Sequence, residues 1–180
     1  QPSLPSLSWP LSPPLSPPPS PPTATFDFSE PASPGWATSG QFARHSGGTD
    51  STGTGPSSGV GGSGYYYYVE ATGGNLGDLS TLAYDGSACA ALGLAVTSVR
   101  FHYHMYGSDM GTLRLVDGAG QEAWSMSGDQ GNAWREASVP HVFSPSFAFE
   151  YTRGSSFQGD AAVGQVCRRV CVACDAPCLV

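Results

Sequence analysis

The sequence contains no lysine, and its seven arginines face fourteen acidic residues, leaving a net charge of −7. A nucleic-acid partner is therefore not expected, because phosphate binding needs a basic stripe that releases counterions. Docking of this segment on anionic lipid is unexpected for the same reason. No run of about 20 apolar residues occurs, so no direct membrane insertion by a helix is expected here. Asn-x-Ser/Thr sequons are also missing, since Asn75 and Asn132 are followed by the wrong residues. The chain opens at Gln1 with neither Met nor an apolar signal segment. A removed leader or a longer parent protein is the expectation.

Catalytic signatures are equally scarce. There is no His-Glu-x-x-His, no Gly-x-Ser-x-Gly and no pair of carboxylates in a common segment. The run Gly59-Val60-Gly61-Gly62-Ser63-Gly64 fits Gly-x-Gly-x-x-Gly. A dinucleotide fingerprint must follow a strand and open a helix. Tyr65-Tyr66-Tyr67-Tyr68 follows instead, which is strand, so the run reads as a loop. His102 and His104 share one strand face at a spacing that zinc sites use, but no third ligand is apparent. Cys167, Cys171 and Cys174 have the spacing of iron–sulfur radical enzymes, yet the helix–strand alternation those enzymes need is absent. With Cys178 the gaps are irregular for a zinc site. No enzyme and no organic cofactor are expected.

What is present divides the chain. Of residues 1–22, ten are Pro and six are Ser, too little apolar surface to offset chain entropy. This segment is expected to be a disordered or polyproline II spacer. Its Pro-x-x-Pro spacings would also suit an SH3-like reader, a partner that an extracellular chain rarely meets. From residue 23 the remaining length suits one domain. Period-two patterning and glycine-rich turns predict nine short strands: around Phe26 and Phe28, then 65–71, 80–84, 98–106, 112–117, 122–127, 134–139, 147–152 and 161–170. Helical spacing is weak and confined to 88–96. On the strand 101–106, Phe101, Tyr103 and Met105 take one face, and His102, His104 and Tyr106 take the other. Residues 108–111 and 128–131 read as short turns, each expected to close a hairpin. The exposed Gly/Ser/Thr-rich loops, 47–64 among them, are the expected contact surface.

Several blocks in order resemble the MAM family, named from meprin, neuropilin-like proteins and receptor-type tyrosine phosphatases. Phe101-His102-Tyr103-His104-Met105-Tyr106-Gly107, followed by Met110-Gly111-Thr112-Leu113, is similar to the family's most recognisable block. Gly55-Pro56-Ser57 with the tyrosine run ending Val69-Glu70-Ala71 resembles its Gly-Pro loop and tyrosine-rich strand. Trp124 and Trp134 stand like its paired tryptophans, Asp160-Ala161-Ala162-Val163 like the start of its last strand, and Phe26-Asp27-Phe28 with Gly35-Trp36 like its opening. The Ser-Pro-rich segment resembles plant and green-algal wall glycoproteins.

The MAM resemblance implies an all-β jelly-roll β-sandwich of two antiparallel sheets over 23–167, with 168–180 a Cys-rich tail or the start of another module. It implies a secreted or cell-surface, non-catalytic adhesion module whose partner is an extracellular protein or glycan. Two other settings fit the same blocks: an accessory domain of a secreted protease, or a structural part of an algal wall or flagellar surface. A structural Ca²⁺ or Na⁺ is also implied, with Asp27, Glu30 and Asp160 as its remaining acidic ligands. Gly164 and Gln165 stand where the family often carries an acidic pair. Ser98 and Pro34 stand where half-cystines are usual, so the family's pairing does not transfer. Cys89, Cys167, Cys171, Cys174 and Cys178 are expected to form disulfides in an oxidising compartment, an odd set with open connectivity. Trp36, Tyr67, Phe101, Tyr103, His104, Met105, Tyr106, Gly107, Trp124 and Trp134 are the family-motif positions expected to build the core.

Overall fold

A computed structural model of the chain describes residues 23–172. The proline-rich segment, Cys174 and Cys178 lie outside the described residues, as does the side chain of Cys171. Two antiparallel sheets pack face to face, as expected. One contains β1 (Thr23–Phe26), β3 (Phe42–Ser46), β4 (Tyr65–Val69), β6 (Leu94–Met105), β9 (Arg135–Ser144) and β11 (Ala161–Val172). Its order is β3-β4-β11-β6-β9, with β1 also paired to β11. The other runs β2 (Trp36–Ser39), β5 (Leu79–Tyr84), β10 (Phe147–Thr152), β7 (Thr112–Asp117) and β8 (Glu122–Ser127).

Alternation explains the core. Val99, Phe101, Tyr103 and Met105 on β6 face Leu113 and Leu115 on β7 and Phe147, Phe149 and Tyr151 on β10, all buried. Phe101 lies 4.7 Å from Phe149 and 5.1 Å from Trp124, in edge-to-face contacts that suit the ring quadrupoles. On β11 the alternation is broken at Gln165 (φ 46), where the register shifts. This bulge turns both Val163 and Val166 inward, although they are three residues apart.

Three expectations need correction. Residues 108–111 do not close a hairpin: β6 and β7 lie in opposite sheets, so the segment crosses the sandwich edge. The same holds for 128–131 between β8 and β9. The long-range strand partners put each pair in opposing sheets, and the two crossovers brace each other. Gly128 N–H donates to Gly111 O (3.0 Å) and Gln130 N–H to Met105 O (2.7 Å). Second, β11 continues past residue 167, pairing Arg168 with Val99 and Val172 with Leu94, so residues 168–172 belong to the sheet rather than to a tail. Third, the weak helical signal at 88–96 resolves into one turn, α1 (Ser87–Ala91), before β6 begins at Leu94. Strands β2 and β3 were not visible as runs, because each is only four or five residues long and largely exposed.

Candidate functional site

With both inner faces consumed by the core, contact surfaces lie on the outer faces and loops. On the outer face of the six-stranded sheet, alternation places Tyr66, Tyr68, Ala162 and His104 side by side. All four are buried, at 0–7% exposure, because the glycine-rich loop 47–64 lies over them. The loop is tied down by backbone and side-chain bonds. Trp134 donates its indole N–H to Ser58 O (2.8 Å), Tyr66 donates its hydroxyl to Gly47 O (2.7 Å), and Gly55 N–H donates to Tyr106 O (3.1 Å). The Trp134 ring sits 5.5 Å from both Tyr66 and His104. A side chain at Gly164 would press on Val60 and Trp134, so glycine at this position lets the roof close. Burial holds the Tyr68 hydroxyl up to about 12 and pushes His104 below the usual imidazole range. His104 donates from Nε2 to Asn132 Oδ1 (3.1 Å) and is sealed. The expected adaptable contact loop is, over 54–56, a buried roof.

Asp160 anchors the corner where roof and sheet meet. Its Oδ1 accepts from Ala71 N–H (2.9 Å), and its own N–H donates to Thr54 Oγ1 (2.9 Å). Thr54 in turn donates to Tyr106 O (2.8 Å), so the Thr54 and Asp160 side chains together join the loop to the residues that flank β4, β6 and β11. The second carboxylate oxygen, Oδ2, is buried without a partner. Burial raises the Asp160 carboxyl to about 6, the Ala71 N–H opposes this, and Glu70 and Asp50 push it further up. Asp27 and Glu30 are elsewhere: β1 meets β11 at Val166, five residues along from Ala161. Asp27 Oδ1 already accepts from Ser29 N–H (3.0 Å) and Ser29 Oγ (2.8 Å), which hold this carboxyl below its usual range. Among the described residues no three His, Cys, Asp or Glu side chains converge in a way that would hold a metal ion. Asp27, Glu30 and Asp160 thus do not assemble into one site. The His102–His104 pair likewise gains no third ligand; His102 faces Glu136 at 3.7 Å instead.

The family-motif residues separate into three groups. Trp36, Tyr67, Phe101, Tyr103, Met105 and Trp124 pack in or against the inter-sheet core, whereas Trp134 and His104 belong to the roofed outer face. Tyr106 and Gly107 form the crossover, where Gly107 takes φ 143 and a Cβ would collide with Gln158 O. Among the described residues the expected disulfides are not formed: Cys89, buried under Tyr84, and Cys167, half-exposed on β11, are each unpaired there. Sequence reasoning missed Thr54, Ser58 and Glu70, whose roles depend on loop closure between segments up to 106 residues apart.

The described set of blocks and this two-sheet arrangement agree with the comparisons. The chain is 38% identical over 129 residues to the MAM domain-containing glycosylphosphatidylinositol anchor protein 1 of Homo sapiens, covering 63% of this chain and 13% of that protein. It is 33% identical over 130 residues to neuropilin-1a of Danio rerio, covering 65% of this chain and 14% of that protein. The chain therefore spans about one-seventh of the length of these curated relatives. The crystal structure of the K2 cleaved adhesin domain of Lys-gingipain superposes with a TM-score of 0.51 at 13% identity, over 81% of this chain and 99% of that one, a likeness of fold alone. The family description "MAM domain, meprin/A5/mu" matches residues 25–171, which is the whole sandwich from β1 into the last strand, and the chain belongs to the MAM family.

Proposed function

We propose that this MAM domain is a non-catalytic adhesion-type module of an extracellular or cell-surface protein, binding a protein or glycan partner. The observation that carries this reading is the family match across the entire sandwich, 25–171. Relatives of this kind include a glycosylphosphatidylinositol-anchored protein and a neuropilin. The chemistry is consistent with it: the buried Tyr66 and Thr54 hydroxyls of the outer face and the Trp134 indole bond to structural neighbours. The polar chain that ends in Asp160 clamps loops instead of presenting a reacting group.

The test is binding of the 180-residue chain to an extracellular-protein array and a glycan array, run beside a panel of hydrolase substrates. Saturable capture of a partner with no turnover is the expected result. Turnover of any substrate, lost on mutation of residues in the sandwich, would overturn the reading.

A further inference from the structure

The outer face of the six-stranded sheet is roofed over only half its length. Beyond the Gln165 bulge it is open, and four strands are laid flat there by continuous register. One row across them is Thr25, Cys167, Arg100 and Ser138. The next row is Thr23, Arg169, Ser98 and Pro140. Opposed residues point to the same side of a sheet, so these eight side chains share one surface. Thr25, Arg100, Ser138 and Arg169 are exposed, and Ser98 and Cys167 partly so.

The arginines of the chain identify what is unusual here. Arg44 donates to Phe28 O (2.7 Å) and lies over the Tyr65 ring, and Arg114 pairs with Glu150 at 2.7 Å. Arg135 donates to Gln130 O, Arg153 donates to Ala71 O, and Arg168 turns inward over Tyr84. Only the side chains of Arg100 and Arg169 form no ion pair, hydrogen bond or ring stack with any described residue. They are diagonal neighbours, about 7–8 Å apart at Cα. Two of seven guanidinium groups in a chain of net charge −7 thus stand together, uncommitted, among hydroxyls. The net charge does not cancel them, because at physiological salt the screening length is about 8 Å and local charges decide. No carboxylate lies in either row. The nearest on β9, Glu136, is one row away and faces His102.

We infer that this open half-face, with Arg100 and Arg169 at its centre, is a binding surface for an anionic polysaccharide. The inference rests on the adhesion reading and gives the partner class. Guanidinium forks bind sulfate or carboxylate groups bidentately. Ser98, Ser138 and Thr25 add hydroxyls that donate to and accept from sugar hydroxyls. Neither row of this surface holds an aromatic side chain, and the one aliphatic ring, Pro140, sits at the β9 edge with the exposed Phe143 beyond it, whereas protein interfaces concentrate such anchors at their centres. A linear, charged, hydroxyl-rich chain matches it better than an acidic protein surface does.

The test measures binding of the 180-residue chain to dextran sulfate, neutral dextran and poly-L-glutamate by biolayer interferometry at low and physiological salt. Dextran sulfate should bind, weaken steeply with salt, and lose tenfold or more in affinity in the double variant Arg100→Gln/Arg169→Gln. The variant Arg114→Gln, on the opposite sheet, should bind like wild type. Double-variant folding is confirmed by an unchanged near-ultraviolet circular dichroism spectrum, and Arg100→Lys/Arg169→Lys should restore part of the lost affinity. Equal binding by wild type and folded double variant overturns the assignment, as does equal binding to neutral dextran. Poly-L-glutamate binding as tightly as dextran sulfate would overturn the polysaccharide in favour of an acidic protein partner. An array partner that still captures the double variant leaves the adhesion reading standing while this assignment falls.

Discussion

The indole N–H of Trp134 donates to the carbonyl of Ser58 across 76 residues of sequence, at 2.8 Å, and this bond fastens the glycine-rich loop to the outer face of the six-stranded sheet. The same ring packs edge-on against Tyr66 and His104. Trp134→Phe removes the bond and keeps most ring contacts, and should cost about 1 kcal/mol. Trp134→Ala removes both and should cost about 3 kcal/mol, at the low end for a large aromatic because the ring is only partly buried. Urea denaturation measures both costs. Limited proteolysis of the alanine variant should cut first within 47–64.

The inter-sheet core should respond more strongly. Phe101 is fully buried against Trp124 and Phe149. Phe101→Ala should cost about 3–5 kcal/mol, from lost transfer energy and the cavity left behind. Thermal unfolding by circular dichroism reads this as a fall in Tm well beyond that of Trp134→Phe.

Asp160 should give the fold a pH dependence of unusual sign. Its carboxyl is raised from 3.8 to about 6 in the folded chain. The folded state then binds the proton more tightly than the unfolded state does. The resulting stabilisation is fully present below the unfolded value and is lost as pH rises through about 6. Tm should therefore gain a contribution on going from pH 7 to pH 4.5, and Asp160→Asn should abolish that contribution. A calorimetric pH series on both proteins checks it.

Gly111 allows a close crossing of chains. A Cβ on it would run into the Thr152 carbonyl, which is backbone and cannot move aside cheaply. Gly111→Ala should destabilise by more than 2 kcal/mol. Gly120→Asn, at a turn with φ 79 and open space around it, should stay within about 1 kcal/mol of wild type. Equilibrium unfolding of the two variants separates steric crowding from loss of glycine flexibility.

Cys89 is 4% exposed and lies 3.9 Å from the Tyr84 hydroxyl oxygen. Iodoacetamide should leave it unmodified in the folded chain and label it once the chain is unfolded in guanidinium. Peptide mass mapping reads the difference.

Much of this architecture is written locally. Phe101, Tyr103 and Met105 announce a strand with one buried face, and the tyrosine run at 65–68 announces another. Sheet assignment is not local. Residues 108–111 have the composition of a hairpin turn, but β6 pairs with β11 and β9 and β7 with β10 and β8, long-range partners that put the two strands in opposite sheets. The roof was hidden for a similar reason: 47–64 is rich in Gly, Ser and Thr, which reads as an exposed loop. Its burial comes from bonds to Trp134, Tyr66 and Tyr106 that sequence spacing does not reveal. Arg100 and Arg169 are 69 positions apart, and composition shows an acidic chain; the β11–β6 register alone makes them neighbours. The MAM resemblance implies a cation held by Asp27, Glu30 and Asp160, and the register of β1 on β11 separates Asp27 and Glu30 from Asp160.

Division of one sheet face into a sealed half and an open half is what places the contact surface, and hydrogen exchange at the Trp134 indole tests it most directly. Two-dimensional NMR of the 180-residue chain should show this N–H exchanging far more slowly than the indole N–H of free N-acetyltryptophanamide. Exchange at the rate of a free indole would mean that the loop 47–64 stands away from the sheet, and the division into roofed and open halves would be wrong.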